Sequence, residues 1–135
     1  MNTIDHLGIA VKSLADAKKF YRAMGFDIGH EEIVEHEKVR VAMVPAGDSR
    51  IELLEATSDD SAVARFIAKR GEGLHHVAIS VEDLQATIDA LKKTGTRFIS
   101  DEIKIGAGGH LYVFVHPSSA GGVLLELVMD APSGV

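Results

Sequence analysis

The chain has 135 residues, 46% of them apolar and none of them cysteine, which is enough to bury one core and excludes a disulfide framework, a thiolate metal site and a cysteine nucleophile. Fourteen Lys and Arg against 20 Asp and Glu give a formal net charge of −6 with no basic tract, which argues against a nucleic-acid partner. No apolar run approaches the roughly 20 residues of a membrane span, and Met1–Asp5 lacks the layout of a signal peptide, so a cytoplasmic protein with no membrane partner is expected.

Residues 4–11 alternate, with Leu7, Ile9 and Val11 on one face and His6, Gly8 and Ala10 on the other, the period of a half-buried strand. Ser13 caps a helix over about 14–24 that ends at Gly25; its Leu14, Ala17, Phe20, Tyr21 and Met24 recur at helical spacing and are expected to be buried. Strands are expected at about 28–36, 38–45 and 49–55, the last two joined by a turn at Ala46-Gly47-Asp48. Ser58–Gly71 reads as a structured linker with a short amphipathic helix. A strand resumes at Leu74, Asp83 opens a helix that ends at Gly95, and strands follow at about 97–102, 110–116 and 122–129.

The second half repeats the first. IDHLGIAVKSL at Ile4–Leu14 lies over LHHVAISVEDL at Leu74–Leu84, which places His6 over His76, and Gly25 lies over Gly95. With a slightly larger offset, MVP at Met43–Pro45 answers VHP at Val115–Pro117 and IEL at Ile51–Leu53 answers LEL at Leu125–Leu127, so Glu52 lies over Glu126. The expected fold class is α+β: one domain of paired βαβββ modules, about 1–57 and 73–130, joined by a linker helix over about 58–72. The modules would pack edge to edge into a curved mixed sheet with helices outside and one open concave face. A ferredoxin-like α+β domain is the alternative, but it needs fewer strands per helix.

Strand parity turns this repeat into chemistry. If Leu7, Ile9 and Val11 pack under a helix, His6 faces the other way beside Gly8 and Ala10; the same parity turns His76 inward and His75 toward the helix side or module edge. Ile51 and Leu53 flank Glu52, and Leu125 and Leu127 flank Glu126, so both carboxylates share the histidines' face. Glu is depleted in strand interiors and is costly to bury without a partner. Two imidazoles and two carboxylates suit a divalent metal such as cobalt, nickel, manganese, zinc or iron, with positions left open for substrate. Each residue taken singly reads as an ordinary strand residue; the repetition of the same types at the same places favours the metal.

DHLGIAV at Asp5–Val11, RGEGLHHVAISVEDL at Arg70–Leu84, GAGGH with HP at Gly106–Pro117 and GGVLLEL at Gly121–Leu127 resemble methylmalonyl-coenzyme A epimerases of the vicinal oxygen chelate (glyoxalase) superfamily. The resemblance spans nearly the whole chain. It implies a glyoxalase-like fold, a metal held by His6, Glu52, His76 and Glu126, cobalt foremost among the candidates, and a homodimer acting on an acyl-CoA thioester. Two departures stand out. Some epimerases have Gln where this chain has Glu52, an arrangement shared with bacterial glyoxalase I enzymes, and the position of an additional basic glutamate in at least one epimerase is filled here by Val41, next to Arg40.

Inversion at C2 of a methylmalonyl thioester needs an enolate stabiliser and two proton carriers. Glu126 and Glu52 are the expected catalytic pair. A lactoylglutathione lyase of the glyoxalase I type and a non-catalytic ligand-binding or resistance protein are the alternatives. Lys104, His110 and His116 flank the Gly106–Gly109 loop, and Lys69 and Arg70 end the linker helix; each could meet a carboxylate or phosphate, yet a solvated hairpin and a basic helix terminus explain them as well. GAGG lacks the strand and helix context of a phosphate-binding loop, and His30 and His36, with no counterparts in the repeat, read as surface residues.

Overall fold

The computed structural model describes residues 2–131. Among them the α-helices and strands run β1 (Thr3–Ala10), α1 (Leu14–Ala23), β2 (Glu31–Val34), β3 (Val39–Ala46), β4 (Ser49–Ala56), α2 (Ala62–Arg70), β5 (Gly73–Ser80), α3 (Leu84–Lys93), β6 (Phe98–Ile105), β7 (Leu111–Val115) and β8 (Leu125–Met129). The chain divides into two compact units, residues 6–75 and residues 76 onward with the first few residues. Each follows the β-α-β-β-β order that the repeat predicts.

In the N-terminal module the strands lie in the order β2-β3-β4-β1, with β1 parallel to β4 and the other pairs antiparallel. The C-terminal module repeats this as β6-β7-β8-β5, with β5 parallel to β8. A parallel neighbour requires a crossover, and α1 and α3 supply it. Ser13 and Asp83 cap these helices, accepting from the N–H groups of Asp16 at 3.1 Å and Ala86 at 3.0 Å. The helices end at Ala23 and Lys93, and after the C-caps Met24 and Thr94 come Gly25 and Gly95, where φ values of 100° and 82° favour a residue without Cβ.

Each module has its own core between helix and sheet. Val11, Leu14, Ile28, Ala42, Val44 and Leu53 form one, with Ile9, Ala17, Tyr21 and Ile51 against it. Val81, Leu84, Ile88, Val113, Val115 and Leu127 form the other, with Ile79, Leu125 and Met129 against it. The alternation therefore sends Ile9, Val11, Ile51, Leu53, Ile79, Leu125 and Leu127 to the helix side, as their periodicity requires.

Several expectations need correction. Phe20 and Met24 are 62% and 61% exposed. At 100° per residue Phe20 stands about 120° round the helix from Leu14, so it lies off the buried stripe and instead sets its ring edge-on to Tyr21. Leu7 is 36% exposed because the packed face of β1 ends at Ile9. The strand expected over 28–36 shrinks to Glu31–Val34, since Glu35–Glu37 form a 3₁₀ turn and Lys38, at φ 56°, reverses the chain into β3. The strand expected over 97–102 runs on to Ile105 with irregular register, and the last strand starts only at Leu125, after a turn with positive φ at Gly121 and Gly122.

Candidate metal centre

In the N-terminal module, the register of the parallel pair sets Gly8 against Glu52 and His6 against Arg50. The His6 side chain thus stands two residues along from Glu52's partner, on the face away from the helix, and its Nδ1 reaches Glu52 Oε2 at 3.2 Å. Both residues are buried, at 3% and 7% exposure. Gly8, itself buried, contributes no side chain between them. Arg50, two residues before Glu52 on the same face, places its Nε 3.9 Å from the same carboxylate oxygen. Val41, also on this face, is buried and apolar, so no carboxylate stands at that position.

The C-terminal module builds the same pair by the same register. Ala78 faces Glu126, and His76, two residues earlier on β5, brings Nε2 to 3.2 Å from Glu126 Oε1. Both are buried, at 5% and 8%. The surroundings differ: Phe114, opposite Glu126 on β7, meets the His76 ring edge-on at 5.4 Å, and Ala78, Tyr112 and Val128 continue an apolar patch.

Each module therefore holds one buried imidazole and one buried carboxylate at 3.2 Å. Donors bound about 2.1 Å from a cation at right angles to one another stand about 3.0 Å apart, so the spacing within each pair fits two neighbouring ligands of a divalent ion. The chemistry fits as well, since neutral imidazole and carboxylate without sulfur suit the borderline first-row metals. The same distance also serves a hydrogen bond within the pair, which makes metal analysis the deciding measurement.

The remaining candidates take structural places. His116 Nδ1 accepts from the Ser118 N–H at 3.0 Å, closing a turn. His110 Nδ1 lies 2.7 Å from Asp130 Oδ1. His75 sets its ring against Phe66 of α2 at 5.1 Å, on the helix side as parity requires. Lys69 and Arg70 are exposed, and the Arg70 guanidinium lies over Phe66 at 5.9 Å. His30 and His36 are exposed, and Lys104 pairs in register with Tyr112 at the strand edge. Arg50 is the feature that the reading of the residues passed over; its signal was a cation at i−2 from Glu52 in a strand, hence on the same face.

Comparison with known proteins identifies the family. The model of the Glyoxalase/Bleomycin resistance protein/Dioxygenase superfamily matches residues 5–114. The mitochondrial methylmalonyl-CoA epimerase of Bos taurus is 36% identical over 129 residues, covering 94% of this chain and 74% of its own length. Among solved structures, a hypothetical protein of Bacillus halodurans superposes with a TM-score of 0.93 at 40% identity, covering 99% of this chain and 98% of its own. A variant of Streptomyces coelicolor methylmalonyl-CoA epimerase in complex with 2-nitronate-propionyl-CoA gives a TM-score of 0.88 at 41% identity, covering 95% of this chain and 94% of its own.

Proposed function

Because the chain belongs to the methylmalonyl-CoA epimerase family of the glyoxalase superfamily, we propose that it is a metal-dependent isomerase that interconverts the epimers of methylmalonyl-CoA by moving the proton at C2. The two modules work as one domain, and His6, Glu52, His76 and Glu126 together hold one divalent cation, with cobalt, nickel, manganese, zinc and iron as the candidates. The observation that carries this reading is the recurrence of one buried His–Glu pair, at one register and one 3.2 Å spacing, in both halves of the chain.

The reaction sets the remaining roles. One carboxylate removes the C2 proton, and the electron pair left behind spreads into the thioester carbonyl as an enolate. A second carboxyl group, protonated, delivers a proton to the opposite face, so the two groups exchange protonation states and the reverse reaction resets them. Inversion at one carbon needs two such carriers. One glutamate from each module, Glu52 and Glu126, supplies that number, and Val41 leaves no third carboxylate at its own position on this face. A bound divalent cation supplies Lewis acidity to the oxygen on which charge develops. Burial of all four side chains keeps water from the carbanion and strengthens each electrostatic contact.

Homodimerisation is part of the same proposal and is read by sedimentation velocity. The test of the activity is deuterium uptake at C2 of methylmalonyl-CoA in D2O by protein stripped with a chelator and then reloaded with each candidate metal. Uptake by loaded protein, its loss on stripping and its return on reloading are expected. No uptake by any loaded form removes the epimerase reading, and uptake that survives complete stripping removes the metal. Turnover of a glutathione hemithioacetal without C2 exchange would make the protein a lyase of the glyoxalase I type. Among the described residues no helix is long and apolar enough to cross a membrane.

A further inference from the structure

The first N–H of each crossover helix is met by the closing strand of its own module. The Leu14 N–H of α1 donates to Glu55 Oε2 at 2.9 Å, and the Leu84 N–H of α3 donates to Met129 Sδ at 3.4 Å. Glu55 and Met129 each lie three residues after the glutamate of their module's pair. One position in the repeat is thus built once around an oxygen and once around a sulfur. A thioether accepts only weakly, so the start of α3 is the less well satisfied of the two. Asp83 is engaged with the Ala86 N–H, and no acidic side chain lies in the first turn of α3 itself.

We propose that Met129 is a reversible modification site: a peroxide oxidises it to the sulfoxide, whose oxygen takes the place that Glu55 Oε2 holds in the other module and accepts the Leu84 N–H. The sulfur attacks one peroxide oxygen, the S–O bond forms as the O–O bond breaks, and the departing hydroxide takes the proton of the transferred oxygen and leaves as water. The sulfur gives up two electrons and the peroxide gains them, and methionine sulfoxide reductases reverse the change. Met129 is half-buried at the end of β8, next to Asp130 with its side chain 88% exposed, so a small oxidant reaches it from the surface. Its side chain packs against the C-terminal core, where a sulfoxide oxygen without a partner would be a defect. The helix amide supplies the partner. The S–O bond leaves its oxygen negative, which suits the positive end of a helix, and three rotatable bonds let the sulfur draw back by the length of the new bond. Exposure alone would favour Met24, at 61%; Met129 differs in having a donor in place to receive the product. The assignment stands apart from the epimerase reading and needs no metal.

The test treats the folded protein with hydrogen peroxide and maps oxidation by mass spectrometry of its peptides, in the parent and in M24L/M43L, where Met129 is the one methionine left besides Met1. Oxidation of Met129 in the folded chain, a downfield move of the Leu84 amide proton in NMR spectra, and a Tm for oxidised M24L/M43L no more than about 1 °C below its untreated value are expected. M129Q, whose amide oxygen stands in for the sulfoxide oxygen, should match the parent's Tm, whereas M129L, which offers no acceptor, should fall by about 2–5 °C. Met129 left reduced while Met24 is fully oxidised, a Leu84 amide proton that does not move downfield, or a fall in Tm of more than about 1 °C on oxidation each overturns the assignment. M129Q no more stable than M129L overturns it as well. If M24L/M43L does not fold, the Leu84 amide of the oxidised parent and the M129Q and M129L pair carry the test.

Discussion

The same turn of the repeated fold is closed by different chemistry in the two modules, and exchanging one for the other makes a quantitative prediction. The Leu14 N–H, at the start of α1, donates to Glu55 Oε2 at 2.9 Å, and the Leu84 N–H, at the start of α3, donates to Met129 Sδ at 3.4 Å. Glu55 and Met129 are equivalent, each three residues after its module's site glutamate. A hydrogen bond to a charged acceptor contributes about 1.5–3 kcal/mol, and an anion at a helix N-terminus adds about 0.3–1 kcal/mol. A thioether accepts only weakly. The Arg40 ion pair with Glu55, at 3.3 Å with the arginine side chain 41% exposed, adds little after solvent screening. Methionine at this position regains part of the loss by packing, so Glu55→Met is expected to destabilise the protein by about 1–2 kcal/mol, a fall in Tm of about 3–8 °C. Glu55→Gln, which keeps a neutral oxygen in place, should lose about half as much. Thermal and urea unfolding followed by circular dichroism measure both variants. A Tm for Glu55→Met within about 1 °C of the parent, or a Glu55→Gln variant as unstable as Glu55→Met, would refute the reasoning.

Ile88 is fully buried in the C-terminal core, so Ile88→Ala should cost about 2–5 kcal/mol in urea unfolding; a loss below about 1 kcal/mol would mean that the helix closes over the gap. Glu126→Gln and Glu52→Gln should each lower C2 exchange by about 10²- to 10⁴-fold, the usual contribution of a proton carrier, and a variant with full metal and full exchange frees its residue from the proposed role. Asp60 is held down to about 2 from an ordinary 3.8, first by its hydrogen bond with Lys38 and then by that with Ser58. A carboxyl lowered on folding stabilises the protein above its unfolded value, and that contribution is lost as pH falls from about 4 to about 2. NMR titration should therefore find the Asp60 midpoint near the bottom of that window; a midpoint near 4 would show that neither partner holds it in solution.

Much of the fold was written in the sequence because duplication states each element twice. Parity alone turns Ile9, Val11, Ile51 and Leu53 to one side and leaves His6 and Glu52 together on the other, and the second copy does the same with His76 and Glu126. What escaped had weaker signals. Phe20 and Met24 are large and apolar, but composition does not tell the centre of a helical stripe from its flank; only the angle to Leu14 does. The strand ending at Val34 was overextended because nothing in Glu35-His36-Glu37 marks a 3₁₀ turn and Lys38 is not a residue type expected at positive φ. Arg50 went unnoticed because an arginine in a strand next to Ile51 reads as a solvated side chain until the register places it beside Glu52.

The parallel pairing of each module's first and last strands also governs when its chemistry can come into being. His6 opens its module and Glu52 closes it, so the two meet only after a helix and two intervening strands have been placed, and His76 must wait in the same way for Glu126. Contacts so remote along the chain form late and slow the search for the native state. A ribosome-bound fragment that stops short of β4 carries an imidazole with no carboxylate opposite it. On the proposed reading, a cation would find a complete His–Glu pair only once a module has been finished.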